Sequence, residues 1–171
     1  MLVLKILILA MLIAVFIQDI KSRSVYWVSF PLLAVALSVL NFREHGKAGI
    51  VPTVFINLLL LAGQLLLISI YFSLKKGRWI NITGNLLGWG DILFLISIAF
   101  YLSVLNFLFF YVSSLIIVLS VWLIWQLVEK NKKIPLAGLQ ALFFAVFLAS
   151  DWWLGLIDLT SDDWLLKLII K

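Results

Sequence analysis

The stretch that decides the fold is residues 92–128, ILFLISIAFYLSVLNFLFFYVSSLIIVLSVWLIWQLV, which runs for 37 residues without a charged side chain. As one α-helix it would be about 55 Å long at roughly 1.5 Å per residue, whereas the hydrocarbon core of a bilayer is only about 30 Å thick. The stretch therefore predicts two membrane crossings. Ser103 and Asn106 mark the turn between them.

The composition of the whole chain points the same way. Its 171 residues are 65% hydrophobic and 12% charged, with a mean hydropathy of +1.20. A soluble domain is about half apolar and about a quarter charged, and a chain this short has too little interior for the excess. These values exclude a soluble enzyme and a nucleic-acid binder. With no cysteine and the single histidine His45, the sequence also excludes disulfides, thiolate nucleophiles and multi-histidine metal sites.

The other uncharged stretches complete the predicted architecture. The segment 79–90, which contains glycines and asparagines, is expected to be a loop. We expect an all-α membrane protein, one domain over residues 1–157, with six transmembrane helices near 2–18, 25–42, 50–74, 87–104, 107–128 and 134–157. Residues 158–171 are expected to form a polar or interfacial tail, either as a short helix or as a frayed end. A cleavable signal peptide over 1–18 is disfavoured, because no small-x-small site follows it.

The basic residues predict the orientation. Positive side chains stay with the cytoplasm, and the net charge of +5 is interpreted in this way. In the six-span layout, loops one, three and five lie on the same side of the membrane and hold eight of the 13 lysines and arginines. That side is therefore expected to be cytoplasmic, with both termini on the other side of a cytoplasmic or inner membrane. The eight are Lys21, Arg23, Lys75, Lys76, Arg78, Lys130, Lys132 and Lys133.

Two carboxyl groups, those of Asp19 and Asp91, are expected at the same cytoplasmic edge. Two carboxylates brought together in a low-dielectric site share a proton. One can then act as a general base on water while the other polarises a carbonyl, which is enough to hydrolyse a peptide bond without a metal. The alternative is that each aspartate caps its own helix or pairs with Lys21 or Arg23. Asp151 is interpreted as an interfacial anchor or a hydrogen-bonded cap.

The residues before Asp91 favour the paired interpretation. Gly88-Trp89-Gly90-Asp91 places an acid directly after two glycines where a helix enters the membrane. Glycines allow backbone conformations and close helix approach that larger residues prevent.

At these residues the chain resembles the type IV prepilin peptidase family, membrane aspartyl proteases named for a GxGD motif. Gly88–Asp91 is similar to that motif, Asp19–Val25 to the family's first aspartate with its basic segment, and Ile134–Gly138 to the segment that opens the last helix. Their order and spacing agree with the six-helix layout along essentially the whole chain. The chain departs from the family at Leu93, where members usually have lysine, and at Val25-Tyr26-Trp27, where they usually have Ile-Pro-Asn.

The resemblance implies an aspartic-type endopeptidase that removes the short basic leader of a membrane-anchored prepilin or pseudopilin at the cytoplasmic face. It implies a catalytic pair of Asp19 and Asp91 and no metal or organic cofactor. The expected partners are that substrate and the lipid bilayer, with no nucleic acid, and the oligomeric state stays open. Without cysteines, the chain resembles the minimal form that lacks the N-methylation region. The supporting residues implied are Gly88, Gly90, Lys21 and Pro135.

Two rival functions remain at this point. A small transporter or membrane assembly subunit would use Asp19 and Asp91 as proton or cation sites, because intramembrane acids suit a relay. That function predicts acids nearer the middle of the bilayer and some internal repeat, and the sequence shows no convincing repeat. An inactive member of the peptidase family is the second rival.

Overall fold

The structure, a computed structural model, describes residues 1–46, 50–77, 88–128 and 135–169. Over these ranges the chain is helical between short turns and contains no strand, which confirms the all-α class. A π-helical turn extends the sixth helix. In chain order the elements are α1 (Leu2–Ser22), α2 (Ser29–His45), α3 (Ile50–Lys76), α4 (Trp89–Ile98), α5 (Val104–Val128), α6 (Leu136–Ala149) with its π-helical turn (Ser150–Leu154), and α7 (Asp163–Ile169).

Four segments are long and apolar enough to cross a membrane. They coincide with α1, α3, α5 and α6 together with its π-helical turn, and they match four of the predicted spans to within a few residues. Most of their surface is exposed apolar side chain, as lipid contact requires. The segments are Leu2–Ser22, Val51–Lys76, Val104–Gln126 and Leu136–Leu154.

The two other predicted spans are shorter helices. α2 has 17 residues and carries Arg43 and Glu44 in its last turn. α4 has ten residues and ends at Ile98, although the sequence predicted a helix near 87–104. The turn between α4 and α5 covers Ala99–Ser103, slightly before the predicted position. Of the segment 79–90 that was predicted to be a loop, residues 79–87 lie outside the described residues, Gly88 is the N-cap of α4, and Trp89 and Gly90 are already part of that helix.

Asparagines from other helices explain how α4 ends inside the protein. Asn57 of α3 donates from Nδ2 to the carbonyls of Ala99 and Leu102, at 3.2 and 2.8 Å. Asn41 of α2 donates to the carbonyl of Phe100 at 3.1 Å. Carbonyls released at a helix end must find partners when they are buried, and these amides supply them.

α6 lies at the centre of the packing. It packs most extensively against α1 and also contacts α4 and α5, while α2 packs against both α1 and α4. Phenyl rings fill the space between α5 and α6, with Phe110 stacked on Phe143 at 5.5 Å and edge-on to Phe144 at 5.4 Å. The first turn of α6 therefore lies near the ends of two helices that carry the candidate aspartates.

The tail folds back onto the start of α5. Asn106 donates from Nδ2 to the carbonyls of Asp158 and Ser161, and its Oδ1 accepts a hydrogen bond from Trp164 Nε1 at 3.0 Å. Leu159 is fully buried beside this contact. Of the two alternatives for the tail, the structure shows the short helix, α7.

Candidate active site

Asp19 lies in the last turn of α1 and is only 8% exposed. The helix ends at Ser22, and the next residue, Arg23, donates its N–H to the carbonyl of Asp19 and then turns into the left-handed conformation (φ 54°). The side chain points to another element: its Oδ2 accepts a hydrogen bond from the N–H of Gly138 at 2.7 Å. The partner of Asp19 is thus 119 residues away along the chain.

Asp91 lies in the first turn of α4. Gly88 precedes that helix as its N-cap residue, and its N–H donates to Oδ2 of Asp91 at 3.1 Å. Asp91 therefore caps its own helix, as the simpler alternative proposed. The backbone amide of Ala137, at the start of α6, also favours the ionised form of this carboxyl.

The two carboxyl groups meet at the first turn of α6. Ala137 and Gly138 are consecutive, and their amides act on Asp91 and Asp19 respectively. The first amides of a helix have no partner inside the helix, and the helix dipole places partial positive charge there. Pro135, buried at the N-cap position, supplies no N–H of its own. The start of α6 is therefore suited to hold negative charge.

Burial and charge both act on Asp91, which lies outside the four candidate spans. Burial raises the pKa of its carboxyl to about 6, the N–H of Gly88 opposes that change, and the nearby charge of Asp19 adds to it. A proton consequently stays on this carboxyl at much higher pH than on an ordinary aspartate.

Close approach at this site depends on two glycines. A Cβ at Gly88 would lie 3.1 Å from Oδ2 of Asp91, and a Cβ at Gly138 would lie 2.9 Å from Cβ of Asp19. At Gly90 a Cβ would be 3.7 Å from the ring of Phe30, an ordinary contact. A side chain would therefore be too close to its neighbours at Gly88 and Gly138, but not at Gly90, the second glycine of the Gly88–Asp91 motif.

The basic residues near Asp19 do not hold it directly. Lys21 is exposed in the last turn of α1, and Arg23 contributes its positive charge from just beyond the helix. Within the described parts of the chain, the ion pair with a nitrogen-to-oxygen distance below 4.0 Å is formed by Lys5 and Glu44, not by Asp19. The expected alternative of an ion pair between Asp19 and Lys21 or Arg23 is thus not the arrangement that the structure shows.

The two departures from the family pattern differ in their surroundings. Leu93, partly buried, packs against the hydrophobic core, and its carbonyl accepts a hydrogen bond from Ser97 Oγ. Tyr26 is 75% exposed, and its N–H donates to Oε1 of Gln18 at 3.3 Å.

Sequence reasoning missed the role of the α6 amides. Gly138 was part of the segment Ile134–Gly138 that carries the resemblance, but only Pro135 of that segment was expected to support the site. A proline followed shortly by a glycine at the start of a helix was the available signal, because it marks free amides beside a position without a side chain.

A second polar cluster lies near the opposite end of α1, about 21 Å from Asp19 at roughly 1.5 Å per residue. Tyr101, 1% exposed, donates from its hydroxyl to Oδ2 of Asp151 at 3.0 Å, and Trp152 Nε1 donates to that hydroxyl at 2.8 Å. Asp151 is thus hydrogen-bonded to a side chain from the turn between α4 and α5. Lys5 and Glu44 help to line a cavity of about 270 Å³ beside it.

The chemistry available at the first site follows from its groups. Two carboxyls with one raised pKa can share a proton, so that one activates water while the other polarises a carbonyl. The same groups can also pass a proton. Comparisons of the chain with family models, with curated proteins and with solved structures found no match.

Proposed function

We propose that this protein is a membrane aspartyl endopeptidase of the type IV prepilin peptidase kind, with Asp19 and Asp91 as its catalytic pair. The observation that carries the proposal is that Asp19 accepts a hydrogen bond from the first turn of α6, while the charge of Asp19 and the backbone of Ala137 both act on the carboxyl of Asp91, 72 residues away in sequence. Helix capping alone would account for Asp91 but not for Asp19, whose side chain points to another helix.

In the proposed reaction the pair holds one proton. The ionised carboxyl removes a proton from water, and the protonated one donates a hydrogen bond to the carbonyl of the peptide bond that is cleaved. The amides of Gly88 and Gly138 hold the carboxyls of Asp91 and Asp19 in place. No cofactor takes part.

The substrate is proposed to be a prepilin or pseudopilin, held in the membrane by its own apolar helix. We propose that all six of α1 to α6 belong to the membrane domain, with both termini outside and with Asp19 and Asp91 at the cytoplasmic edge of a cell membrane. A short basic leader is then cut from the substrate at that edge, in the service of pilus assembly or a related secretion pathway. The basic loops contact anionic lipid rather than the basic leader.

The position of the two acids favours this function over a transporter. A proton or cation relay would place them nearer the middle of a span. Asp19 lies in the last turn of α1, and Asp91 lies in the first turn of α4. A site at helix ends is where a leader projecting from the membrane would reach it.

The decisive experiment is co-expression with a candidate prepilin in cells lacking their own leader peptidase, with leader removal followed by gel shift. Asp19→Asn and Asp91→Asn should each abolish cleavage at normal membrane levels, since an amide accepts the same backbone hydrogen bonds but cannot transfer the proton. Asp151→Asn is the matched control, because it changes a partly buried carboxyl at the other end of the molecule and should leave cleavage intact. Cleavage that persists in either of the first two variants would contradict the proposal.

A further inference from the structure

The tightest contact of the candidate site is between Gly138 and Asp19. The N–H of Gly138 lies 2.7 Å from Oδ2 of Asp19, and this hydrogen bond is buried. A Cβ on Gly138 would be 2.9 Å from Cβ of Asp19 and 3.3 Å from the carbonyl oxygen of Phe16. Both of those atoms belong to or adjoin the backbone of α1, so neither can move aside by rotating a side chain.

Gly138 lies where α6 packs against α1. α1 and α6 pack more extensively against each other than any other two helices among the described residues. A side chain at position 138 would therefore have to separate these two helices locally, and the amide of residue 138 would move away from the carboxyl of Asp19.

The neighbouring amide extends the arrangement to the second carboxyl. Successive residues of an α-helix are offset by about 100° around its axis and by about 1.5 Å along it. The amide of Gly138 bonds Asp19 of α1, and the neighbouring amide of Ala137 favours the ionised form of Asp91 of α4. Arg23, just beyond the end of α1, contributes positive charge at Asp19.

We propose that Gly138 is a positioning residue: its lack of a side chain lets Asp19 pack onto the first turn of α6, whose amides hold the two carboxyls as a pair bearing one shared negative charge. This inference rests on the proposed peptidase function and assigns a role to a residue outside the GxGD motif. The partial positive charge at the helix start favours that single charge.

The first test is Gly138→Ala, with Gly63→Ala as the matched control. Gly63 is also inside a candidate span, in α3, and a Cβ there would meet nothing within 4 Å. With a purified prepilin substrate, Gly138→Ala should lower kcat roughly 100-fold, as expected for a misplaced reacting group, and leave KM unchanged. Gly63→Ala should keep the native kcat and KM.

The second measurement needs no substrate. Infrared difference spectra recorded against pH follow the protonated carboxyl band, and Asp19→Asn and Asp91→Asn assign it to the pair. Loss of one hydrogen bond to the ionised form should move the titration of the pair to higher pH by about one unit or more. A purely structural defect would not produce that movement.

A third variant removes the amide without adding volume. Glycolic acid placed at position 138 by nonsense suppression replaces the N–H with an ester oxygen, so it remains informative even when Gly138→Ala fails to accumulate in the membrane. It should show the same shift in titration and a lower kcat. An unchanged titration in this variant overturns the proposal, whatever happens to kcat.

The outcomes separate the two proposals. A titration that shifts while the native protein cleaves no prepilin supports the positioning role and refutes the peptidase function. Native kcat and an unshifted titration in Gly138→Ala refute the positioning role and leave the peptidase function standing. A fall in kcat without a shift also refutes the positioning role, because it reports a structural defect alone.

Discussion

The two ends of α1 both place carboxyl groups near α6, but they hold them in different ways. At the Asp19 end the partners are the backbone amides of Gly138 and Gly88. At the Lys5 end the partners are side chains: Lys5 pairs with Glu44 at 2.9 Å, and Tyr101 donates to Asp151.

The difference lies in the kind of group that orients each carboxyl. An ammonium compensates the charge of its carboxylate, whereas a tyrosine hydroxyl donates a neutral hydrogen bond. Backbone amides orient a carboxyl without a counter-ion on a side chain, so a proton can move between two such groups. In the proposed function the Asp19 end carries the reaction, whereas the ion pair at the Lys5 end contributes to stability.

The largest effect on prepilin cleavage should come from a substitution that keeps the charge of a catalytic carboxyl and changes the length of its side chain. Asp91→Glu adds one methylene, and a displacement of about 1 Å at a reacting group costs roughly 100-fold in rate. Prepilin cleavage should fall by that factor in quantitative gels. Glu44→Asp makes the reciprocal change at the Lys5 end, where cleavage should stay at the native rate. Equal losses in both variants would abolish the distinction between the two ends.

A smaller effect is expected on stability from Tyr101→Phe. Without the hydroxyl, Asp151 loses a donor and Trp152 Nε1 loses its acceptor, and unpaired buried groups cost about 1–3 kcal/mol. Thermal unfolding in detergent should show a lower Tm with cleavage retained below it. Tyr71→Phe is the control, since Tyr71 is 58% exposed and should leave Tm unchanged. A native Tm in Tyr101→Phe would show that the hydroxyl contributes nothing to the fold.

The smallest effect should come from Lys5→Met. The two partners of the ion pair have side chains 19% and 23% exposed, and Lys5 also lies 5.2 Å from the ring centre of Trp152. A partly exposed ion pair and a cation–π contact of this kind are together worth about 1 kcal/mol. Unfolding at low and high salt should show a small loss that shrinks as salt rises. Lys21→Met, at the other end of α1, should show none, and a loss of cleavage in Lys5→Met would link the two ends functionally.

Much of the architecture could be read from local sequence. Long uncharged stretches predicted the four candidate spans because each helix in lipid must satisfy its own backbone and present apolar side chains. The same reasoning overestimated α4. Its end depends on Asn57 and Asn41, which come from other helices and leave no mark near residue 98.

The candidate site was predictable in its carboxyls but not in its geometry. Asp19 and Asp91 stood out because acids are costly in apolar stretches, and that is a property of the sequence itself. Their contact with the start of α6 could not be predicted, because every residue except proline carries a backbone N–H and the sequence does not show which one a carboxyl will contact. Only the packing of α1 against α6 shows which amide is reached.

Composition and the spacing of charges thus established an all-helical chain with segments able to cross a membrane, since the cost of burying charge and the length of an apolar helix are local quantities. The early end of α4, the joining of Asp19 and Asp91 at one helix start, and the need for glycine at position 138 arose from packing between distant segments. Such contacts depend on distances between helices, which no stretch of sequence contains.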